Sequence, residues 1–227
     1  RTPAAAIDGG AGADVIDGGT GVNLLKTAGM IGTAVEGLNS GTSTGVVVNL
    51  GATAVTATVI NTALTTANTA TIGTSASLTS VAAGTTALVY DTQSALFSTV
   101  QDTVSNIQSV TGTSGRDYIV TGAAGGGTIT GGTGADALFA GAGIDTFVQA
   151  AAASIASTAR TVTAGGAATA DTITFGNSLD VITGFSAASD KLDLVTAGAV
   201  TGNGVAAAAT LAATGNYLIS GNYNAAT

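Results

Sequence analysis

The chain contains no cysteine, no histidine and no tryptophan, and a single proline among 227 residues. Without cysteine there is no disulfide framework, no thiolate metal site and no thiol nucleophile. Without histidine the commonest general base and the commonest zinc ligand are both missing, which excludes a Ser-His-Asp triad and a zincin motif. Two-carboxylate hydrolysis survives on paper, but its acids would be Asp residues with a simpler use described below. An enzyme is therefore not expected. Charge is scarce too, at 8% of residues against about 25% in ordinary globular domains. Only 5 basic residues stand against 13 acids, a net charge of −8. No basic patch can neutralise phosphates, so nucleic acid is not an expected partner and cations are. No apolar run approaches the roughly 20 residues of a membrane-spanning helix, so no transmembrane segment is expected. The chain opens on Arg1 inside a repeat pattern and carries no signal peptide, which reads as a piece of a larger protein.

What the chain has is glycine and aspartate. Twelve of its 13 acids are Asp and only Glu36 is Glu, a bias that suits turns and metal ligands and is poor material for helices. The two residue types are organised. Gly9-Gly10-Ala11-Gly12-Ala13-Asp14-Val15-Ile16-Asp17 fits the phrase G-G-x-G-x-D-x-U-x, where U is a large apolar residue. Gly18 to Lys26 follows without a gap, with Asn23 in place of Asp. Gly131 to Phe139 matches in full, and Ala140 to Val148 matches except at its first glycine. Gly112 to Val120 is a slightly degenerate copy, and Gly122 to Thr130 keeps the phase with Ile129 at the apolar position but Gly127 where Asp belongs. Glycines allow positive φ and bring backbone carbonyls close to an ion. Asp adds a hard oxygen, and calcium takes six to eight such ligands. The x-U-x triplet alternates, so one apolar side chain per repeat points inward.

These repeats resemble the RTX (hemolysin-type calcium-binding) family, whose nonapeptides wind into a parallel β-roll. Asn106-Ile107-Gln108-Ser109-Val110-Thr111-Gly112-Thr113, leading into the second block, shares the resemblance. So do Asp180-Val181-Ile182-Thr183-Gly184-Phe185 and Asp190-Lys191-Leu192-Asp193-Leu194, which look like the segment that closes such rolls. Together these parts cover roughly half the chain. The resemblance implies an all-β fold: a parallel β-roll with additional β-rich segments and little helix. It implies calcium as cofactor, with Asp14, Asp117, Asp136 and Asp145 as side-chain ligands and Asn23 as a weak substitute. Carbonyl donors would be the turn glycines Gly10, Gly12, Gly19, Gly21, Gly115, Gly132, Gly134, Gly141 and Gly143. Asp171 and Asp180, which keep the D-x-U spacing without glycines, are secondary candidates. Asp8 and Asp17 precede Gly-Gly pairs and read as turn residues, and Arg116 as an exposed x position. Phase counting places Asp117 and Asp136 on one edge, where the best-formed site is expected. Gly127 and Asp145 fall on the other, which has one carboxylate too few.

Four segments follow: a first repeat block at 1–26, a Thr/Ala-rich β segment at 27–111 that could be an insertion, a second block with its closing cap at 112–199, and a small C-terminal β segment at 200–227. Within them Gly45–Leu50, Val55–Ile60, Ala87–Tyr90 and Asn216–Ile219 read as strands. One helix is expected over Gln93–Ile107, where Leu96, Phe97, Val100, Val104 and Ile107 recur at helical spacing.

RTX rolls are attached to proteases, lipases, toxins, adhesins and surface-layer proteins, so the family alone does not fix the function. The Ala-, Gly- and Thr-rich remainder looks like that of bacterial surface-layer and filament subunits. The leading expectation is a secreted structural protein, exported in one step (type I secretion), that self-assembles with calcium into a homo-oligomer or lattice on the bacterial cell surface. A cell-surface polysaccharide is a candidate further partner. The alternatives are the calcium-folding secretion module of an exoenzyme or toxin, and an adhesin segment.

Overall fold

The computed structural model describes residues 5–10, 12–30, 45–67, 79–89, 101–122, 126–149, 160–163, 172–173, 180–194, 200–201, 210–211 and 216–217. Strands dominate. In chain order they begin with β1 (Ala5–Ile7), β2 (Val15–Asp17), β3 (Asn23–Lys26), β4 (Gly45–Asn49) and β5 (Val55–Thr56). Helix α1 (Ala57–Ala67) intervenes before β6 (Ser80–Val81), β7 (Thr85–Val89), β8 (Thr103–Ser105) and β9 (Ser109–Thr111). Then come β10 (Tyr118–Val120), β11 (Thr128–Thr130), β12 (Ala137–Phe139), β13 (Thr146–Gln149), β14 (Arg160–Thr163) and β15 (Thr172–Ile173). The last are β16 (Val181–Thr183), β17 (Lys191–Leu194), β18 (Val200–Thr201), β19 (Thr210–Leu211) and β20 (Asn216–Tyr217). The fold is all-β in class, and no helix among the described residues is long and apolar enough to cross a membrane.

Two sheets carry the repeats. One runs β1-β3-β9-β11-β13-β17 with every neighbouring pair parallel. The other runs β16-β12-β10-β4-β7-β8-β2. From β8 to β13 the chain enters the two sheets alternately, as a three-residue strand followed by a glycine-rich turn allows. Between the sheets lies one apolar cluster. The eighth residue of all six nonapeptides points into it: Ile16, Leu25, Ile119, Ile129, Leu138 and Phe147 are each 0–5% exposed. Burying such a side chain stabilises by roughly 1.5–3 kcal/mol, so the single U position per repeat builds the core. The alternation is sharp at β2, where Val15 is 86% exposed beside Ile16 at 5%.

The second sheet is mixed, which an all-parallel arrangement does not anticipate. β4 and β7 form an antiparallel hairpin set between β10 and β8. Strand β4 is buried on both faces: Val46 and Val48 join the inter-sheet cluster, while Val47 packs with Ile60, Leu64 and Val81 in a second cluster. Helix α1 and the β5–β6 pair thus cover the outer face of this sheet, and Tyr118 and Ala137 are buried beneath them. Asn49 pins the hairpin. Its amide donates to the carbonyls of Thr53, Val81 and Ala82 at 2.9–3.1 Å and accepts the Gly51 N–H at 3.1 Å.

Three expectations are corrected. Only Val55–Thr56 of the Val55–Ile60 segment is strand. Thr56 accepts the Val59 N–H at 3.4 Å at the start of α1, whose Ile60 and Leu64, four residues apart, bury against the sheet. The helix placed over Gln93–Ile107 is a strand at Thr103–Ser105, followed by a turn through Asn106 at φ 56°; Leu96, Phe97 and Val100 lie outside the described residues. Arg116 is 6% exposed rather than solvated, and its backbone carbonyl lies against Gly45 of the inserted strand. Strands β8 and β9 pair with β2 and β3, so coil-like pairing resumes before residue 112.

Candidate metal centre

Each repeat places its sixth residue at the start of a strand, immediately before it in five repeats and as the first strand residue at Asn23, and parallel register stacks these positions. Tyr118 pairs with Ala137 and Ala137 with Val181, so Asp117, Asp136 and Asp180 line one edge. The stack is knit by hydrogen bonds from coil to coil. The Val46 N–H donates to Asp117 Oδ1 at 2.7 Å, the Asp117 N–H to Asp136 Oδ1 at 2.9 Å, and the Asp136 N–H to Asp180 Oδ1 at 3.1 Å. On the other edge the Gly127 N–H donates to Asp145 Oδ1 at 3.1 Å and the Asp145 N–H to Asp190 Oδ1 at 3.0 Å. The first block repeats the scheme: the Asp14 N–H donates to Asp102 Oδ1 and the Asn23 N–H to Gln108 Oε1, both at 2.9 Å.

The second carboxylate oxygens differ. Asp117 Oδ2 accepts the Thr113 N–H at 2.6 Å and its hydroxyl at 3.1 Å. Asp145 Oδ2 accepts the Gly141 N–H at 3.1 Å and the Thr121 hydroxyl at 3.3 Å. Oδ2 of Asp14 and Oδ2 of Asp136 are buried with no hydrogen-bond donor. The first glycine of each turn makes room for the carboxylate: a Cβ on Gly131 would collide with Asp136 Oδ2, and one on Gly112 with Asp117 Oδ2. Around Asp136 the carbonyls of Thr113 and Gly115 lie against Gly132 and Gly134, which sit at φ 111° and 145°. Among the described residues no three acidic, Cys or His side chains gather at one point. A cation here would take most of its ligands from backbone carbonyls, as the oxygen chemistry of calcium permits. The residues of the Asp136 turn fit such an ion.

Burial is the main force on the ladder's protonation. It raises the Asp136 carboxyl far above its ordinary value of 3.8, and the negative charges of Asp117 and Asp180 add to the shift. Asp117 is raised by burial as well, opposed by the Thr113 and Val46 hydrogen bonds and reinforced by Asp180. Burial also raises Asp102. Asp17 and Asp190 are lowered, by the Asn106 side chain and the Ser186 N–H respectively.

The structure therefore brings together Asp117, Asp136 and the secondary candidate Asp180, and sets Asp145 on the opposite edge with Gly127. Asn23 is buried, and its amide donates to the Asn106 carbonyl at 3.0 Å. Gly10, Gly12, Gly19 and Gly21 take the left-handed conformation of Gly132 and Gly134, whereas Gly115, Gly141 and Gly143 do not. Asp8 and Asp17 accept the N–H groups of Gly10 and Gly19, at 3.1 and 2.8 Å. Asp171 lies outside the described residues. Sequence reading missed Asp102, Gln108 and Asp190. Each stands two residues before an apolar residue without a glycine turn ahead of it; Val104 and Val110 point inward, whereas Leu192 is half exposed, and that D/Q-x-U spacing was the only available signal. The chain matches no family model, no curated protein and no solved structure.

Proposed function

We propose that the chain is a calcium-folded parallel β-roll of the RTX kind, and that it serves as a structural, self-assembling protein on the bacterial cell surface. The observation that carries the calcium reading is Asp136. One of its carboxylate oxygens is spent on the preceding coil's backbone and the other is buried without a donor. Stacking such carboxylates is costly. At an inter-strand spacing of about 4.8 Å and an effective dielectric of about 20, two of them repel by roughly 3.5 kcal/mol. That is a large part of a typical domain's net stability of about 5–15 kcal/mol.

Calcium, when bound, supplies the positive charge that offsets this repulsion, so binding energy becomes folding energy. The chain's own residues arrange the rest. Oδ1 of each ladder Asp fixes coil-to-coil register, left-handed glycines open space for carbonyls, and the U residues seal the interior. An extracellular module of this type binds with a Kd of roughly 10⁻⁴ to 10⁻³ M, which keeps it loose in a low-calcium cytoplasm and folds it after export. The low charge and the Ala/Thr-rich remainder support a lattice or filament role over catalysis.

The same ladder supports a calcium-folding secretion module of an exoenzyme or toxin. Circular dichroism and electron microscopy, with and without millimolar calcium, decide both questions. Sheets or filaments that form with calcium and dissolve in chelator support the structural role; a compact monomer moves the assignment to the module. Full β-structure in chelator removes the calcium switch.

A further inference from the structure

The ladder aspartates are not equivalent, and the difference follows the residue four positions before each. Ahead of Asp117, Asp145 and Asp190 stand Thr113, Gly141 and Ser186, none with positive φ. Each turns its N–H onto the Oδ2 of its own Asp, at 2.6, 3.1 and 2.8 Å. Asp136 and Asp14 are preceded instead by Gly132 and Gly10, at φ 111° and 76°. A left-handed residue at that place points its N–H elsewhere; that of Gly10 goes to Asp8. The result is a buried Oδ2 with no donor in both turns, and Asp136 itself is 0% exposed. Sequence separates the two groups. The second has the full G-G-x-G tetrad, at 9–12 and 131–134, whereas the first reads Gly-Thr-Ser-Gly, Ala-Gly-Ala-Gly and Phe-Ser-Ala-Ala.

We infer that, of the turns that carry Asp14, Asp117, Asp136, Asp145 and Asp190, only the two with a G-G-x-G tetrad take a cation, and that the turns of Asp117, Asp145 and Asp190 are closed by the protein's own N–H and hydroxyl donors. In the closed turns a backbone N–H occupies the place a cation has in the open ones. Thr113 does this twice over, since its hydroxyl also donates to Asp117 at 2.9 Å. Asp117 and Asp145 are then register pins and Asp136 a ligand, which divides a set that the repeat pattern alone treats as equal. The cation-independent turns would hold the second block's coils together while the open turns await the ion. This inference rests on the calcium reading above and refines which residues carry it.

The test is the number of calcium ions bound per full-length chain, measured by equilibrium dialysis with metal analysis, alongside circular dichroism at saturating calcium. Asp136→Asn should lose one equivalent. Asp117→Asn and Asp145→Asn should keep the wild-type number. Thr113→Gly, which rebuilds a G-G-x-G tetrad at 112–115, should gain one. Loss of an equivalent in Asp117→Asn or Asp145→Asn, or an unchanged count in a folded Thr113→Gly, overturns the division into two classes. If Thr113→Gly does not fold, the comparison of Asp136→Asn with the two Asn variants decides alone. A wild-type chain that binds no calcium overturns the calcium reading itself, a result distinct from any of these.

Discussion

At the scale of the residue, each place in the nonapeptide has a separate physical duty. The first glycine is a matter of volume, because a methyl group on Gly131 would enter the space of Asp136 Oδ2. Gly131→Ala should therefore destabilise by about 1–3 kcal/mol, as overpacking does, readable as a shift in the urea midpoint in saturating calcium. The eighth residue is a matter of burial. Leu138→Ala, at a site with 0% exposure, should cost about 2–5 kcal/mol, whereas Val15→Ala, 86% exposed beside an equally regular repeat, should stay within about 0.5 kcal/mol. The duty of the eighth residue was legible in the sequence, since it depends only on spacing; that of the first glycine was not, because the sequence reading assigned the glycines positive φ and carbonyl approach, and the place of the carboxylate behind Gly131 is set by the stacking of the coils. Nor were the partners of the first block. Asp102 and Gln108 acquire their roles from the strand register that lays β8 on β2 and β9 on β3, and nothing local to them announces it.

At the scale of the element, short strands proved easier to place than the helix. Gly45–Asn49 and Thr85–Val89 are strands where β-branched clusters require them. Ala57–Ala67 is also rich in β-branched residues and still forms a helix. Tertiary packing overrides propensity there, because Ile60 and Leu64 fill the cleft over β4 and β10. Leu64→Ala should cost about 2–5 kcal/mol and Val59→Ala, half exposed, far less, measured by the same urea transitions. Over Gln101–Ile107 the reverse occurred: helical spacing was present, but pairing with β2 and the left-handed Asn106 set a strand and a turn. The hairpin depends on one polar side chain. Asn49→Ala removes the amide donor shared by the Thr53, Val81 and Ala82 carbonyls, of which Ala82 keeps the Thr85 hydroxyl, and the acceptor of the Gly51 N–H; it should destabilise by on the order of 3 kcal/mol, with the loss concentrated in hydrogen-exchange protection of β4 and β7.

At the scale of the molecule, protons and calcium compete for one stack of carboxylates. Burial and mutual repulsion raise Asp117 and Asp136 above the unfolded value of 3.8. The folded state therefore binds protons more tightly than the unfolded one. In chelator, the stability this contributes is fully present below about pH 4 and is lost as pH rises toward and past neutrality. The chelated chain should consequently show more β-structure by circular dichroism at pH 4.5 than at pH 8, and millimolar calcium should reverse that order; β-structure independent of pH in chelator would contradict it. The mixed second sheet has its own consequence. Passing from β8 to β7 and from β7 to β4 reverses strand direction twice, so β4 offers β10 the same polarity that β8 would have offered, and Asp117 clasps Val46 as it would a preceding coil. Guests are admitted into this winding by parity: an excursion of two strands leaves the next coil's docking edge intact, whereas an excursion of one would confront it with an edge running the wrong way.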